Sequence, residues 1–369
     1  MDLLALTVAY NDNDLLSDDD ELIVQYLETP FFSRRVYNGS DLYSTLRDDE
    51  FLKRFRLSKR SATFLLDKII HNFPNTFNRN AVSPMNQLLC TLRYYATGSQ
   101  LTACGDVIGA HESTACRILH RVTHAIASLY SEFIKMPVTV DEQNNVVAKF
   151  YDIAKFPRCI GAIDCTHIKI LSPGGDYAEI YRNRKGYFSI NTQCICSANL
   201  LFLDVVARWH GSVHDANIWD NCAQKRNFVQ GVYNEKLLVG DSGYSQTRYM
   251  MTPLPENTPS TRGEKLYQES QIRTRNVIER TFGIWKRRFP ILSKGINVKL
   301  RRVPGIIVAT AVLHNIAILQ KDSEPPTDED IPHIHDIPIA IPTNSRTLSR
   351  SIAGNIERTL LINEYFARL

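Results

Sequence analysis

Apolar side chains recur at three- and four-residue spacing from Phe51 onward, which is the period of an amphipathic helix. The pattern predicts helices over residues 51–74, 83–97, 101–108 and 112–133, with Gly98 and Gly109 closing the second and third and Ser113 opening the fourth. The last two are joined by a short link, as in a helix-turn-helix. A helical bundle that only packs against the next domain would show the same pattern, so both interpretations stay open.

Beyond Pro137, β-branched residues and alternating patterns dominate, which is typical of strands. Strands are predicted over residues 159–170, 192–198, 202–209 and 237–240, the second and third as a hairpin, and helices over residues 276–288 and 303–319. This order predicts an α/β fold with a mixed sheet, preceded by an all-α, helix-turn-helix-like domain.

These patterns divide the chain into four segments. Residues 1–50 form an acidic N-terminal arm with one or two short helices around residues 21–27, and residues 51–137 form the helical domain. Residues 150–320 form the α/β domain. Residues 321–369 hold a proline-containing linker and a last amphipathic helix over residues 351–369.

Composition limits the class of protein. The chain has 369 residues and 44% hydrophobic residues, as an ordinary soluble globular protein does. No stretch approaches the roughly 20 apolar residues that span a bilayer, and no signal region is evident at the N-terminus. The eight cysteines lack the paired spacing of zinc sites. We therefore expect an intracellular protein with reduced thiols and no membrane contact.

The formal charge of +4 hides a strong polarity along the chain. Residues 1–50 hold 12 acidic and 3 basic side chains, whereas residues 51–137 hold 11 basic and 4 acidic ones. Residues 275–302 hold 9 basic side chains against Glu279 alone. Two basic segments that converge in space could bind a polyanion such as nucleic acid, and Arg117 and Arg121 on the fourth helix are candidate contacts. A solvated charged surface is the alternative.

Three acidic residues stand in unusual surroundings. Asp164 lies in the middle of an apolar predicted strand, and a buried carboxylate is costly unless it is paired, hydrogen-bonded or bound to a metal. Asp241 follows a buried strand at the start of an Asp-Ser-Gly turn, which is also an ordinary turn signal. Glu279 lies on a predicted helix, where a simple ion pair with Arg275 is the ordinary interpretation.

The combination of the three acids favours chemistry over these separate explanations. Phosphodiester cleavage needs about three oxygen ligands that gather two divalent cations, and carboxylates suit Mg²⁺ and Mn²⁺. The basic side chains near Glu279 would then hold phosphates; they are Arg275, Lys286, Arg287 and Arg288. His167, His214 and His314 lie on separate elements without a zinc-binding spacing, so supporting roles are favoured for them.

The motifs around these acids resemble the Harbinger family of DDE transposases, and closely resemble the Harbinger transposase-derived nucleases of animals. The resemblance runs from about residue 51 to about residue 319. It includes the segments GAID at 161–164, RKGYFS at 184–189, FLDVVARW at 202–209, GSVHD at 211–215, GDSGY at 240–244, VIERTFG at 277–283 and HNIA at 314–317.

This resemblance implies a ribonuclease H-like DDE catalytic core. Asp164, Asp241 and Glu279 would be the catalytic, metal-binding triad, and Asp215 would be an auxiliary acid. Arg275, Glu279 and Lys286 also match a signature of related bacterial transposases, although Ile272 stands at that signature's tyrosine. A separate Myb/SANT-like DNA-binding partner and a location in the nucleus, and also in the cytoplasm, are implied as well.

Two functions from different classes fit the sequence. The first is a DNA endonuclease that uses two Mg²⁺ or Mn²⁺ ions, derived from a transposase. The second is an inactive adaptor that binds DNA or a protein partner and retains the acids as remnants. Metal-dependent strand cleavage discriminates between them. Self-association is left open by the sequence.

Overall fold

The computed structural model describes residues 41–73, 81–255, 259–325 and 352–369. The predicted helix at residues 21–27, most of the acidic arm and most of the proline-containing linker lie outside the described residues. The described residues all belong to one compact unit. The division of this unit at residues 137–150 stays an interpretation of the sequence.

The first part of the described chain is helical, as the apolar spacing predicts. Its helices are α1 (Leu42–Thr45), α2 (Asp48–Phe55), α3 (Lys59–Ile69), α4 (Pro84–Thr97), α5 (Leu101–Ile108), α6 (Glu112–Ala127), α7 (Tyr130–Phe133) and α8 (Val140–Ala154). The α4 helix starts where Ser83 caps it and Pro84 fits its first turn, and it ends at Gly98 with φ of +63°.

The predicted helix over residues 112–133 needs two corrections. It is capped by His111, whose ring accepts the backbone N–H of Ser113, so Ser113 lies inside the helix. It also ends at Ala127, and a separate short turn, α7, follows. The α6 helix packs against α4, α5 and the helix Val303–Leu319 of the α/β part, so it is a central helix of the bundle.

Five strands form one mixed sheet. They are β1 (Cys159–Lys169), β2 (Ser189–Cys196), β3 (Phe202–His210), β4 (Leu237–Val239) and β5 (Met250–Met251), and their order in the sheet is β3-β2-β1-β4-β5. The β1–β2 and β2–β3 pairs are antiparallel, whereas β1–β4 and β4–β5 are parallel. The predicted hairpin and mixed sheet are confirmed, and β5 is an additional strand.

Two apolar cores cover the two faces of this sheet. The larger includes Ala162 and Ile168 of β1, and the smaller includes Ile163 of the same strand, since alternate residues point to opposite faces. Helices α11 (Arg262–Arg288) and α13 (Val303–Leu319) pack on the larger core, and α9 (Asp215–Asp220) and α10 (Ala223–Val229) contribute to the smaller. A short helix, α12 (Ile291–Lys294), joins α11 to α13.

The α11 helix begins 14 residues before the predicted start at residue 276. Thr261 and Glu264 cap it reciprocally, which fixes the start at Arg262. Its first half buries small and polar residues such as Ser270, Gln271 and Thr274, so the apolar period that identifies helices is missing there. The added turns place Arg275 and Glu279 in the middle of a 27-residue helix.

The α13 helix is the most apolar helix of the described chain. Together with the turn before α13, it forms the segment Leu300–Leu319, whose length and composition alone would allow it to cross a membrane. The expectation that no segment approaches a membrane span is corrected in this respect. Since 72% of that window is buried inside the fold, α13 packs as the central helix of a globular core.

The C-terminal segment packs back onto the α/β part. It consists of α14 (Ile352–Leu360), a π-helical turn over Leu361–Tyr365 and a 3₁₀ turn over Phe366–Arg368. Phe366 is buried against Phe156 and Tyr267 at ring distances of 5.8 and 5.6 Å. Of the last helix predicted over residues 351–369, the structure has an α-helix over Ile352–Leu360, and the residues after it form these two turns.

Candidate metal centre

Asp164 lies in the middle of β1, directly after residues that are wholly buried. The neighbouring Ala162 and Ile163 are inaccessible to solvent, whereas the side chain of Asp164 is 17% exposed. Its Oδ1 accepts the backbone N–H of Cys165 at 2.7 Å. A single hydrogen bond does not compensate an ionised carboxylate in this position, so a positive charge is required nearby.

Asp241 reaches the same region from the neighbouring strand. The parallel pairing of β1 with β4 sets Ala162 opposite Val239, so Asp241 follows β4 at the level of Asp164. Its Oδ1 accepts the backbone N–H of Gly243 at 2.9 Å. A Cβ atom at Gly243 would lie only 3.0 Å from this oxygen. The Asp-Ser-Gly turn therefore also orients the carboxylate.

Asp215 is the third carboxylate of this region. It is the first residue of α9, and its Oδ1 accepts a hydrogen bond of 2.9 Å from the amide of Asn191 on β2. The same amide donates to the carbonyl of Val213, which fixes the chain just before Asp215. The acid that the sequence assigned an auxiliary place thus lies beside Asp164 and Asp241.

Asp164, Asp215 and Asp241 form one group. Each offers a carboxylate oxygen, and the three oxygens lie within 4.8 Å of one another. Three carboxylate oxygens at this spacing are a donor set for a hard divalent cation such as Mg²⁺ or Mn²⁺. Among the described residues, this is the one group of acids, histidines or cysteines that could hold a metal ion.

Burial, together with the neighbouring negative charges, raises the pKa values of Asp164 and Asp241. Burial raises the pKa of Asp164 well above its usual range, the charges of Asp241 and Asp215 raise it further, and Arg275 opposes them. Burial also raises the pKa of Asp241, with Asp215 adding to it. A bound cation would offset this repulsion, because it favours the ionised carboxylates.

Glu279 lies at the margin of the group and is held by Arg275. The Nη1 atom of Arg275 is 2.7 Å from Glu279 Oε1 and 3.5 Å from Asp164 Oδ2. Glu279 is 41% exposed and contributes to the raised pKa of Asp241, which places its charge nearby. Of the predicted triad, the structure brings together Asp164 and Asp241, and joins Glu279 to them through Arg275.

Lys286, on the same helix, reaches β1 two residues beyond Asp164. Its Nζ donates to Thr166 Oγ1 at 2.6 Å and to the carbonyl of His167 at 3.3 Å. Burial lowers its pKa to about 8. The ammonium group therefore lies on the side of β1 that α11 covers, two residues along the strand from Asp164.

The next two basic residues of α11 point elsewhere. Arg287 pairs with Glu324 at 3.6 Å. Arg288 is wholly buried and donates to the carbonyls of Arg56 and Ser323 at 3.0 and 3.1 Å. The expected phosphate contact of Arg288 is corrected: a guanidinium that is enclosed and bound to backbone oxygens ties α11 to the helical part.

Arg117 and Arg121 lie on α6 in the helical part. Arg117 is exposed, and its Nη2 is 3.5 Å from Thr114 Oγ1. Arg121 donates to Gln87 Oε1 at 3.0 Å. No contact among the described residues joins either of them to the acidic group, and their role in binding DNA stays a prediction.

Several polar residues near the acids were not anticipated. Asn191 orients Asp215, and Tyr244 lies 3.3 Å from the thiol of Cys165, which adjoins Asp164. His167, for which the sequence favours a supporting role, has its Nδ1 3.1 Å from Ser189 Oγ. The sequence signal that could have found Asn191 is an amide in a strand that is buried throughout, because a buried polar group needs a hydrogen-bond partner.

Comparison with known proteins identifies the family of this chain. A family model described as DDE superfamily endonuclease matches residues 163–315, which include all four acids. The curated protein "Putative nuclease HARBI1" of Bos taurus is 31% identical over 298 residues, covering 75% of this chain and 84% of the relative. The human protein of that name is 29% identical over 304 residues, covering 79% and 86%.

A plant relative extends the comparison. "Protein ALP1-like" of Arabidopsis thaliana is 27% identical over 330 residues, covering 83% of this chain and 78% of the relative. No solved structure matches.

The mixed sheet with its clustered carboxylates and the matched segment define a DDE superfamily endonuclease domain with a ribonuclease H-like core. Within that class, the chain belongs to the Harbinger-derived family of the HARBI1 proteins. The fold class and the resemblance inferred from the sequence are thereby confirmed.

Proposed function

We propose that this protein is an endonuclease that hydrolyses phosphodiester bonds of DNA and depends on Mg²⁺ or Mn²⁺. The observation that carries the proposal is the group formed by Asp164, Asp215 and Asp241, whose oxygens lie within 4.8 Å of one another. Membership of a DDE endonuclease family supports a hydrolase acting on nucleic acid. DNA as the substrate is supported by the basic segments of the sequence.

The residues of the centre would have two roles, which are to bind the metal and to orient the metal ligands. Asp164, Asp215 and Asp241 would hold a divalent ion, and Glu279 would supply a further oxygen when Arg275 releases it. Bound metal ions lower the pKa of an attacking water and stabilise the leaving oxygen. The amide of Asn191 and the backbone N–H groups of residues 165 and 243 hold the carboxylates in place.

The test is nicking of supercoiled plasmid by the purified protein with Mn²⁺ or Mg²⁺. Cleavage by the wild type and loss of at least about 100-fold in Asp164→Asn and Asp215→Asn is the expected result, because removal of one ligand disturbs the whole centre. Glu279→Gln tests whether the fourth acid takes part. Asp106→Asn is the matched control, since Asp106 is exposed on α5 and the sequence gives it no place in the centre.

The outcome also separates the two classes of function. Cleavage that Asp164→Asn and Asp215→Asn leave unchanged would reject the proposed centre. A wild type that binds DNA without cutting it in either metal, even with a Myb/SANT-like partner protein added, would favour the adaptor. That partner and a nuclear location stay predictions of the resemblance.

A further inference from the structure

The link between β1 and β2 ends in a tight turn beside the acidic centre. Arg182 and Phe188 pair across this turn as an antiparallel bridge. Asn183 is buried, and its Oδ1 accepts the backbone N–H groups of Lys185 and Tyr187 at 2.9 and 3.4 Å. The turn is therefore held by a side chain inside it. We call the exposed residues 184–186, Arg-Lys-Gly, the basic tip.

Arg182 stabilises the turn, and its charge is paired with a carboxylate beside the turn. Its guanidinium forms two hydrogen bonds with Glu179, at 2.7 and 2.9 Å, and a third with the carbonyl of Gly186 at 2.7 Å. The same group lies over the ring of Phe188 at 4.4 Å. Arg182 is thus neutralised and bound within the turn, which leaves the charges of the tip to the two residues that follow.

Arg184 and Lys185 carry those charges to the surface. Both side chains are exposed, and within the part of the chain that the structure describes neither pairs with a carboxylate. The guanidinium of Arg184 contacts the ring of His214, the residue directly before Asp215. Two cations are therefore presented to solvent next to a ligand of the proposed metal centre.

A chain of hydrogen bonds fixes the tip relative to the centre. Asn183 Nδ2 donates to Ser189 Oγ at 3.1 Å, and that oxygen lies 3.1 Å from His167 Nδ1. The pKa of His167 is lowered chiefly by burial; the charge of Asp215 opposes this, and those of Lys286, Lys185 and Arg184 add to it. The charges of the basic tip and of Lys286 therefore act on one ring, which hydrogen bonds connect to the turn that carries the tip.

We propose that the basic tip binds the phosphodiester backbone of the nucleic acid that the acidic centre cuts, with Arg184 and Lys185 as the contacts. The proposal rests on the proposed function, since it names how that site holds its substrate. Acidic residues repel a polyanion, so a strand can approach the carboxylates only where fixed cations offset the repulsion. A turn that is held by internal hydrogen bonds and presents two exposed cations at this edge meets that need.

Binding of a short fluorescent duplex DNA, measured in EDTA by anisotropy across a range of salt concentrations, tests this separately from cleavage. Arg184→Gln combined with Lys185→Gln is expected to weaken binding roughly 10- to 100-fold and to lower the log–log salt slope by about two, one unit for each lost phosphate contact. The matched control is Lys149→Gln combined with Arg226→Gln, which removes two exposed cations on α8 and α10. It should leave affinity within about twofold.

A second variant tests the geometry of the tip without changing its charge. Asn183→Ala removes the side chain that holds the turn, so affinity should fall although both cations remain.

Equal losses of affinity in the double variant and the control pair would mean that net charge alone explains the effect, and would overturn the proposal. Wild-type affinity and slope in the double variant would also overturn it while leaving the nuclease proposal intact. Lost binding in the variant, with a wild type that never cuts, would support the tip and reject the nuclease.

Discussion

Arg275 is the residue on which the state of the acidic centre depends. It lies between Asp164 and Glu279, so it supplies the positive charge that this group of acids needs. The same guanidinium lowers the pKa of both Asp164 and Asp241. A divalent cation at the centre would make this charge redundant, and Arg275 would then repel the metal while it holds Glu279 away.

We therefore expect Arg275→Gln to bind Mn²⁺ more tightly, by about tenfold at pH 8, because a unit charge a few ångströms from the ion is removed. Isothermal titration calorimetry without DNA measures this directly. Arg273→Gln is the control on the same helix, since Arg273 pairs with the exposed Glu269 at 3.4 Å. Equal or weaker affinity in Arg275→Gln would show that Arg275 is not a competitor of the metal.

At the scale of elements, the start of β3 is held by a side chain of α13. Asn315 Oδ1 accepts the backbone N–H of Phe202 at 2.8 Å, and its amide donates to the carbonyls of Phe202 and Phe133 at 2.8 Å each. Three backbone groups of a strand and a short helix thus depend on one buried amide. The preceding His314 donates to the carbonyl of Leu200 in the adjoining turn.

Asn315→Ala is expected to lower the free energy of unfolding by about 2–4 kcal/mol, because buried N–H and C=O groups lose their partners. Urea unfolding measures the change. Asn145→Ala, at an exposed position of α8, should differ from the wild type by less than about 0.5 kcal/mol. A loss this small in Asn315→Ala would mean that water replaces the amide.

The elements show where the sequence suffices and where it does not. The α4, α5 and α13 helices start and end within a residue of their predicted bounds, because caps, glycines and continuous apolar periods mark them. The first half of α11 was missed because it buries Ser270, Gln271 and Thr274 in place of large apolar residues. Periodicity reports apolar burial, so a helix packed through small and polar residues escapes it.

The acidic centre shows the same limit for long-range contacts. Asp164 was identifiable from its apolar strand, but the place of Asp215 depends on the amide of Asn191, which pairing of β2 with β1 brings near. Nor does the sequence reveal that Arg288 is enclosed while Lys286, two residues earlier, reaches β1. Such distinctions arise from tertiary packing.

At the scale of the whole molecule, the acidic centre connects stability to pH and to metal. Asp164 and Asp241 have raised pKa values in the folded state, so the unfolded chain ionises first as pH rises. Without metal, these acids therefore destabilise the fold progressively above about pH 4, until they ionise in the folded state as well. A cation that binds only the folded, ionised centre reverses the effect.

A crossover in thermal stability is the expected consequence. In EDTA at neutral pH, Asp164→Asn should melt above the wild type, because one of the mutually repelling carboxylates is gone. With Mn²⁺ at about 100 times its Kd, the wild type should gain roughly 2.7 kcal/mol, or a few degrees in Tm, and the variant should gain little.

Thermal melts over pH 5–8 with and without Mn²⁺ measure both effects, and Asp106→Asn should follow the wild type throughout. Parallel metal responses in wild type and Asp164→Asn would place the ion elsewhere, because stabilisation requires a site that only the native arrangement of these carboxylates provides.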